Sequence, residues 1–172
     1  MNRIFPPTAS RIGATLVALG LLAGCSATTN GASSDDTLSV QQFASEIAPI
    51  RLDVNESLDR WKERTCSSLA IADGDVLCHG NALILGSAVQ TAYIKLNTIT
   101  NTSASGYVGQ PPAEVSDLYQ ETLKVAAKAH DSGKAFQESG CEEKECIGLT
   151  VDLIGDAEDL RGTLEKWAPY LS

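Results

Sequence analysis

VLCHGNALILGSAVQTAYIKLNTITN, residues 76–101, is the stretch on which the fold turns. Within it Cys78, Ala82, Leu85, Val89, Ala92, Leu96 and Ile99 follow one another at alternating steps of four and three. That rhythm lays one apolar stripe along an α-helix, and a helix with one stripe buries it against neighbours. Asp73-Gly74-Asp75 ahead of the stretch reads as a turn and cap. Residues 102–110, TSASGYVGQ, read as the loop that ends it.

Three further stretches keep the same rhythm. Residues 39–65 carry Val40, Phe43, Ile47, Ile50, Val54, Leu58 and Trp61. Ser39 and Gln42 have the spacing of a capping box, and Leu38 and Phe43 that of a hydrophobic staple. Pro49 predicts a kink or a division of this helix. Residues 112–139 carry Val115, Leu118, Thr122, Val125, Ala129 and Phe136. Pro111-Pro112 suits the start of that helix, and Asp131-Ser132-Gly133 weakens it near the end. Residues 146–167 carry Cys146, Thr150, Leu153, Ala157, Leu160, Leu164 and Trp167, and Pro169 terminates them. No segment sustains the period-two alternation of a half-buried strand. The expectation is an all-α domain over residues 39–172, an up-down-up-down four-helix bundle with short connections.

Upstream, residues 1–24 hold no acid and two bases, Arg3 and Arg11, and residues 12–22 form an apolar run. The run falls short of the roughly 20 residues of a membrane-spanning helix. A basic start and a short apolar run have the form of an export signal. The run closes on Leu22-Ala23-Gly24-Cys25, which resembles the lipobox of bacterial lipoprotein precursors. The resemblance covers residues 1–25. It implies a signal peptide over 1–24, cleavage before Cys25, and acylation of Cys25. It also implies a protein held on the extracytoplasmic side of the cell membrane by two or three acyl chains, enough for stable anchoring. Residues 25–38 then comprise the lipidated cysteine and a flexible linker reaching on the order of 20 Å.

Cleavage before Cys25 would leave 11 bases against 22 acids, a net charge of −11. Nucleic acid is disfavoured as a partner, because phosphate contacts need a basic footprint. Anionic headgroups are disfavoured too, so the lipid must hold the protein against repulsion.

The bundle topology would bring Cys66, Cys78, Cys141 and Cys146 to the pole away from the membrane. An even set of cysteines in an exported domain favours disulfides. The simplest pairing is Cys66–Cys78 and Cys141–Cys146, with the two crossed connectivities open. Closing the first loop stabilises by about 3 kcal/mol on the chain-entropy model. His79 beside Cys78 raises a metal reading, but the cysteine spacings are not the C-x2-C pairs of structural zinc sites.

No catalytic residue, cofactor or metal site is assigned, and the chain does not read as an enzyme. Its only histidines are His79 and His130, and no G-x-S-x-G elbow is present. Asp73-Gly74-Asp75 lacks the remaining ligands of a calcium loop. Glu142, Glu143 and Glu145 suit a solvated first helical turn. Gly148, Gly155 and Gly162 recur every seven residues, opposite the apolar stripe of the last helix. They define a docking face for a partner helix or a second copy, or else a face that packing leaves unconstrained. Tyr107, Trp167, Tyr170 and Leu171 fall at the membrane-proximal pole, to meet the interface or to plug the end of the bundle. The functional expectation is a non-enzymatic binding or structural module for another envelope component. The alternative is a small-ligand module with a pocket between helices, where Ala82, Ala92, Ala129 and Ala157 leave room.

Overall fold

The computed structural model describes residues 38–140 and 145–171. The expected signal peptide, Cys25, the expected linker up to residue 37, Cys141, Glu142 and Glu143 lie outside the described residues. Five α-helices pack together: α1 (Val40–Glu63), α2 (Ser68–Ala72), α3 (Val76–Thr100), α4 (Ala113–Glu138) and α5 (Glu145–Glu165). A 3-10 turn, Ala168–Tyr170, follows, and no strand occurs among the described residues.

Helix α1 begins with the reciprocal bonds its sequence calls for. The Gln42 N–H donates to Ser39 Oγ at 3.2 Å, and the Ser39 N–H donates to Gln42 Oε1 at 3.0 Å. Pro49 does not divide it: the helix runs unbroken from Val40 to Glu63. Proline removes one backbone bond and crowds the carbonyl four residues back. Here both Pro49 and Ser45 face solvent, so the freed carbonyl meets water, while Ile47 and Ile50 bury the opposite side.

The segment after α1 holds a helix too short for periodicity to register. Ser67 Oγ accepts the Ala70 N–H at 3.1 Å and starts α2, whose Ile71 is buried. Gly74 then turns the chain at φ +89°, where an L side chain would be strained. Asp75 caps α3 as expected, accepting the N–H groups of Leu77 and Cys78 at 2.9 and 3.0 Å. All seven stripe residues of α3 are buried, as are all seven of α5 and its continuation to Trp167.

Helix α4 departs from its predicted face at two positions. Tyr119 and Ala126 are buried where Leu118 and Val125 were expected, and those two are half-buried. Val115, Thr122, Ala129 and Phe136 are buried as expected, so the face is kept and only these two positions differ, each by one residue. The Tyr119 hydroxyl accounts for the first in part: it donates to the Leu96 carbonyl and lies 3.2 Å from Thr100 Oγ1. Burial raises the Tyr119 pKa above its ordinary value, against a smaller lowering by Thr100. Gly133, expected to weaken α4, is where the α4 backbone lies against Gly86 of α3. A Cβ on Gly133 would sit 2.9 Å from the Gly86 carbonyl oxygen and 2.9 Å from Val89 Cγ2.

Helix α3 packs between α1 and α4, α5 packs between α4 and α1, and α2 packs on α5 and α3. Side-chain pairs give the registers. Arg51 and Lys62 of α1 bind Glu165 and Glu158 of α5, in opposite chain order. Glu121 and Asp156 bind Lys166 and Lys128 across α4 and α5, again in opposite order. One pole is aromatic: the Phe43 ring lies 5.2 Å from Tyr119 and 6.2 Å from Trp167. The other holds the described cysteines.

The glycine contacts set opposite signs for two substitutions. Gly133→Ala should lower stability by about 1–3 kcal/mol through overpacking, despite a better helix propensity. Gly155→Ala, with nothing within 4 Å of an added Cβ, should raise it by roughly 0.5–1 kcal/mol. Urea unfolding of the two variants checks both signs.

Candidate functional site

At the cysteine pole, Cys66 and Cys78 are joined with Cα atoms 5.3 Å apart, closing the turn between α1 and α3 over α2. Cys146 is disulfide-bonded as well; its expected partner, Cys141, lies outside the described residues. Asn81 donates to Cys66 Sγ at 3.9 Å. The cysteine sulfurs here are engaged in structure. Among the described residues no group of three His, Cys, Asp or Glu side chains is placed to hold a metal. The histidines serve separate contacts. His79 and Phe136 meet edge to face with ring centres 5.8 Å apart, and His130 lies tilted against Tyr93 at 4.9 Å.

The aromatic pole is closed. Trp167 is fully buried, and its indole N–H donates to Thr122 Oγ1 at 3.0 Å. Tyr170 and Leu171 are half-buried against the core, and Tyr107 is exposed. Trp167 thus plugs the end of the helices. Ala82, Ala92, Ala129 and Ala157 are all buried in the core. The surface clefts of about 240–460 Å³ are lined by other residues.

The seams flanking α5 take up cations. Glu165 accepts from Arg51 and from Asn55, each at 2.7 Å. The Asn55 hydrogen bond is the main cause of a lowered Glu165 pKa; burial opposes it, and Arg51 adds to the lowering. Arg161 reaches Asp59 at 3.2 Å and also bonds Glu158. Asp156, mostly buried, holds Lys128 and Ser132 at 2.7 Å each. Its hydrogen bond raises the Lys128 pKa. Exposed pairs of this kind each stabilise by under about 1 kcal/mol; they set register. Gly148, Gly155 and Gly162 lie exposed on the outer line of α5, with nothing within 4 Å of an added Cβ. Val151 stands exposed between the first two, beside a cleft of about 240 Å³ lined by Trp61, Cys66 and Ile154.

The outer face of α3 differs from all of these. Lys95 is the only Lys, Arg, Asp or Glu in this helix of 25 residues. Outside its buried stripe stand Leu77, Ile84 and Ile94, exposed by 67%, 44% and 58%, with Val76 and Leu83 beside them. These side chains stand among Ser87, Gln90, Thr91 and Thr98 on the side of α3 away from its buried stripe. Large apolar side chains exposed on one helix face are candidates for an interaction site. Two clefts open between α3 and α1. One, of about 260 Å³, includes Ile84, Ala88, Asp53 and Glu56. The other, of about 300 Å³, includes Ile94, Ile50, Glu46 and Pro49. A Lys95–Asp53 bridge of 3.0 Å joins the helices at this seam.

Sequence reasoning passed over this face, although its signal was present: Leu77, Leu83, Ile84 and Ile94 are large apolar residues off the stripe. Comparison with protein-family models, curated proteins and solved structures finds no match to the chain.

If these outer side chains are surplus to folding, Ile84→Ser with Ile94→Ser should change stability by no more than about ±0.5 kcal/mol. Chemical denaturation of the double variant measures this. A loss of several kcal/mol would make them part of the core.

Proposed function

We propose that the chain is the precursor of a membrane-anchored envelope lipoprotein whose folded part is a non-enzymatic binding module for another envelope component. The observation that carries the binding role is the apolar, nearly uncharged outer face of α3 on a body whose core is already filled. Such a face has no use in folding and a ready one in recognition. We read the four long helices as an up-down-up-down bundle, with α2 as an addition at the cysteine pole. The cyclic packing of α1, α3, α4 and α5 and their opposed registers support that topology.

The anchor rests on Leu22-Ala23-Gly24-Cys25. Lipid on Cys25 would hold the chain at the extracytoplasmic side of the cell membrane, and residues 25–38 would serve as tether. The Cys66–Cys78 disulfide fits an oxidising compartment. The helix that follows residues 25–38 in sequence, α1, starts at the aromatic pole, and the described cysteines lie at the other pole. The strongly acidic chain favours a partner with basic surface.

The anchor is tested by expressing the full chain in a bacterial host, fractionating the cells and weighing the mature amino-terminal peptide. The expected peptide begins at Cys25 and carries diacylglycerol, and Cys25→Ala leaves the membrane fraction or accumulates uncleaved. An unmodified Cys25 in soluble protein contradicts the proposal.

A further inference from the structure

We infer that the Cys66–Cys78 disulfide is a thiol–disulfide exchange site, entered by a dithiol at Cys66 Sγ and not at Cys78 Sγ, with Asn81 as the positioning residue that holds the Cys66 sulfur. The inference uses no residue of the outer face of α3 and stands apart from the binding reading.

The two halves of this bond have unlike surroundings. Cys78 belongs to the buried stripe of α3 and is 5% exposed. Cys66 follows the end of α1, is half-buried, and lines the surface cleft of about 240 Å³ together with Trp61, Ser67, Ser68 and Thr150. Access helps decide which sulfur of a disulfide a thiolate attacks. Here it selects Cys66.

Asn81 gives the second observation. It is 6% exposed, and its side-chain amide donates to Cys66 Sγ at 3.9 Å. It stands three residues after Cys78, on the same side of α3, and so reaches across the bond to the far sulfur. Neutral cysteine sulfur is a weak acceptor, whereas hydrogen bonds to an ionised acceptor are about twice as strong. The buried amide therefore contributes more when the bond is open and Cys66 is a thiolate than when the bond is closed.

Reduction takes two displacements. One thiolate of the dithiol attacks Cys66 Sγ: a new S–S bond forms, the Cys66–Cys78 bond breaks, and the electron pair leaves on Cys78 Sγ. The second thiolate then attacks the first sulfur of the reductant, and the electron pair leaves on Cys66 Sγ, beside the Asn81 N–H. The dithiol ends as a disulfide, oxidised by two electrons, and its two protons pass to Cys66 and Cys78. Cys78 leaves from the first turn of α3, where a helix N-terminus favours a thiolate and the capping Asp75 carboxylate opposes it. Oxidation runs the same steps backwards, with Cys66 as the attacking thiolate.

The test uses the full chain, with limiting dithiothreitol as probe, a short pulse of N-ethylmaleimide, and peptide mass spectrometry to assign the label. Cys66 should take the label about tenfold faster than Cys78 or more. A second measurement isolates the thiol. Cys78→Ser leaves Cys66 free, and its reaction with oxidised glutathione is followed against pH, with circular dichroism showing the variant folded. Adding Asn81→Leu should move the midpoint of that profile to higher pH and slow the reaction at neutral pH, while the alkaline plateau stays in place. A structural role alone would leave the midpoint where it was. Equal labelling of Cys66 and Cys78, faster labelling of Cys78, or a midpoint unmoved by Asn81→Leu overturns the inference. If the variants do not fold, the pulse on the unaltered chain decides.

Discussion

At Gly86 and Gly133 the backbones of α3 and α4 come within reach of each other, and the Val89 side chain closes over the contact. This approach fixes how far the two helices stand apart and how each is rotated. Ala126 and Ala129 of α4 are buried on the face that carries Gly133. The Tyr119 hydroxyl reaches the Leu96 carbonyl from the same helix. With α4 so placed, Thr122 meets the Trp167 indole and the aromatic pole closes. Interiors packed at crystal-like density transmit such a constraint over the length of a bundle.

Because α3 is rigidly seated by its inner stripe, its outer stripe becomes a surface feature and not a packing accident. Among the described residues, five ion pairs cross the seams flanking α5. The seam between α1 and α3 carries one cross-helix bridge among the described residues, Lys95 to Asp53; Ile84, Ser87, Thr91 and Ile94 of α3 line its clefts opposite Glu46, Asp53, Glu56 and Arg60 of α1. Rim charges of this kind act on association rate and partner choice, while buried apolar anchors supply most of the affinity. The Cys66–Cys78 bond and α2 brace the end of this seam by tying the chain just after α1 to the first turn of α3.

Much of the fold was legible because it is written locally. The stripes of α3 and α5, the Ser39–Gln42 box and the Asp75 cap each depend on residues within a few positions of one another. What periodicity could not show depends on partners far along the chain. Gly133 reads as a weak point in α4 until Gly86, 47 positions earlier, is set against it. Tyr119 reads as an outer residue until its hydroxyl finds a carbonyl on α3. Pro49 reads as a break until Ser45 proves to face water. Helix α2 is one turn stabilised by its neighbours and has no period of its own. The site was partly visible, since Leu77, Ile84 and Ile94 stand off the stripe in the sequence, but a search for one buried face discards such residues.

The central claim is that the outer face of α3 is where this protein meets another. The direct measurement is photocrosslinking in living cells, with a photoreactive residue placed singly at positions 84 and 94, and at exposed Lys124 of α4 as the comparison. The account predicts one dominant protein adduct from positions 84 and 94, with none from 124. No adduct from the α3 positions, or the same adducts from all three, would contradict it.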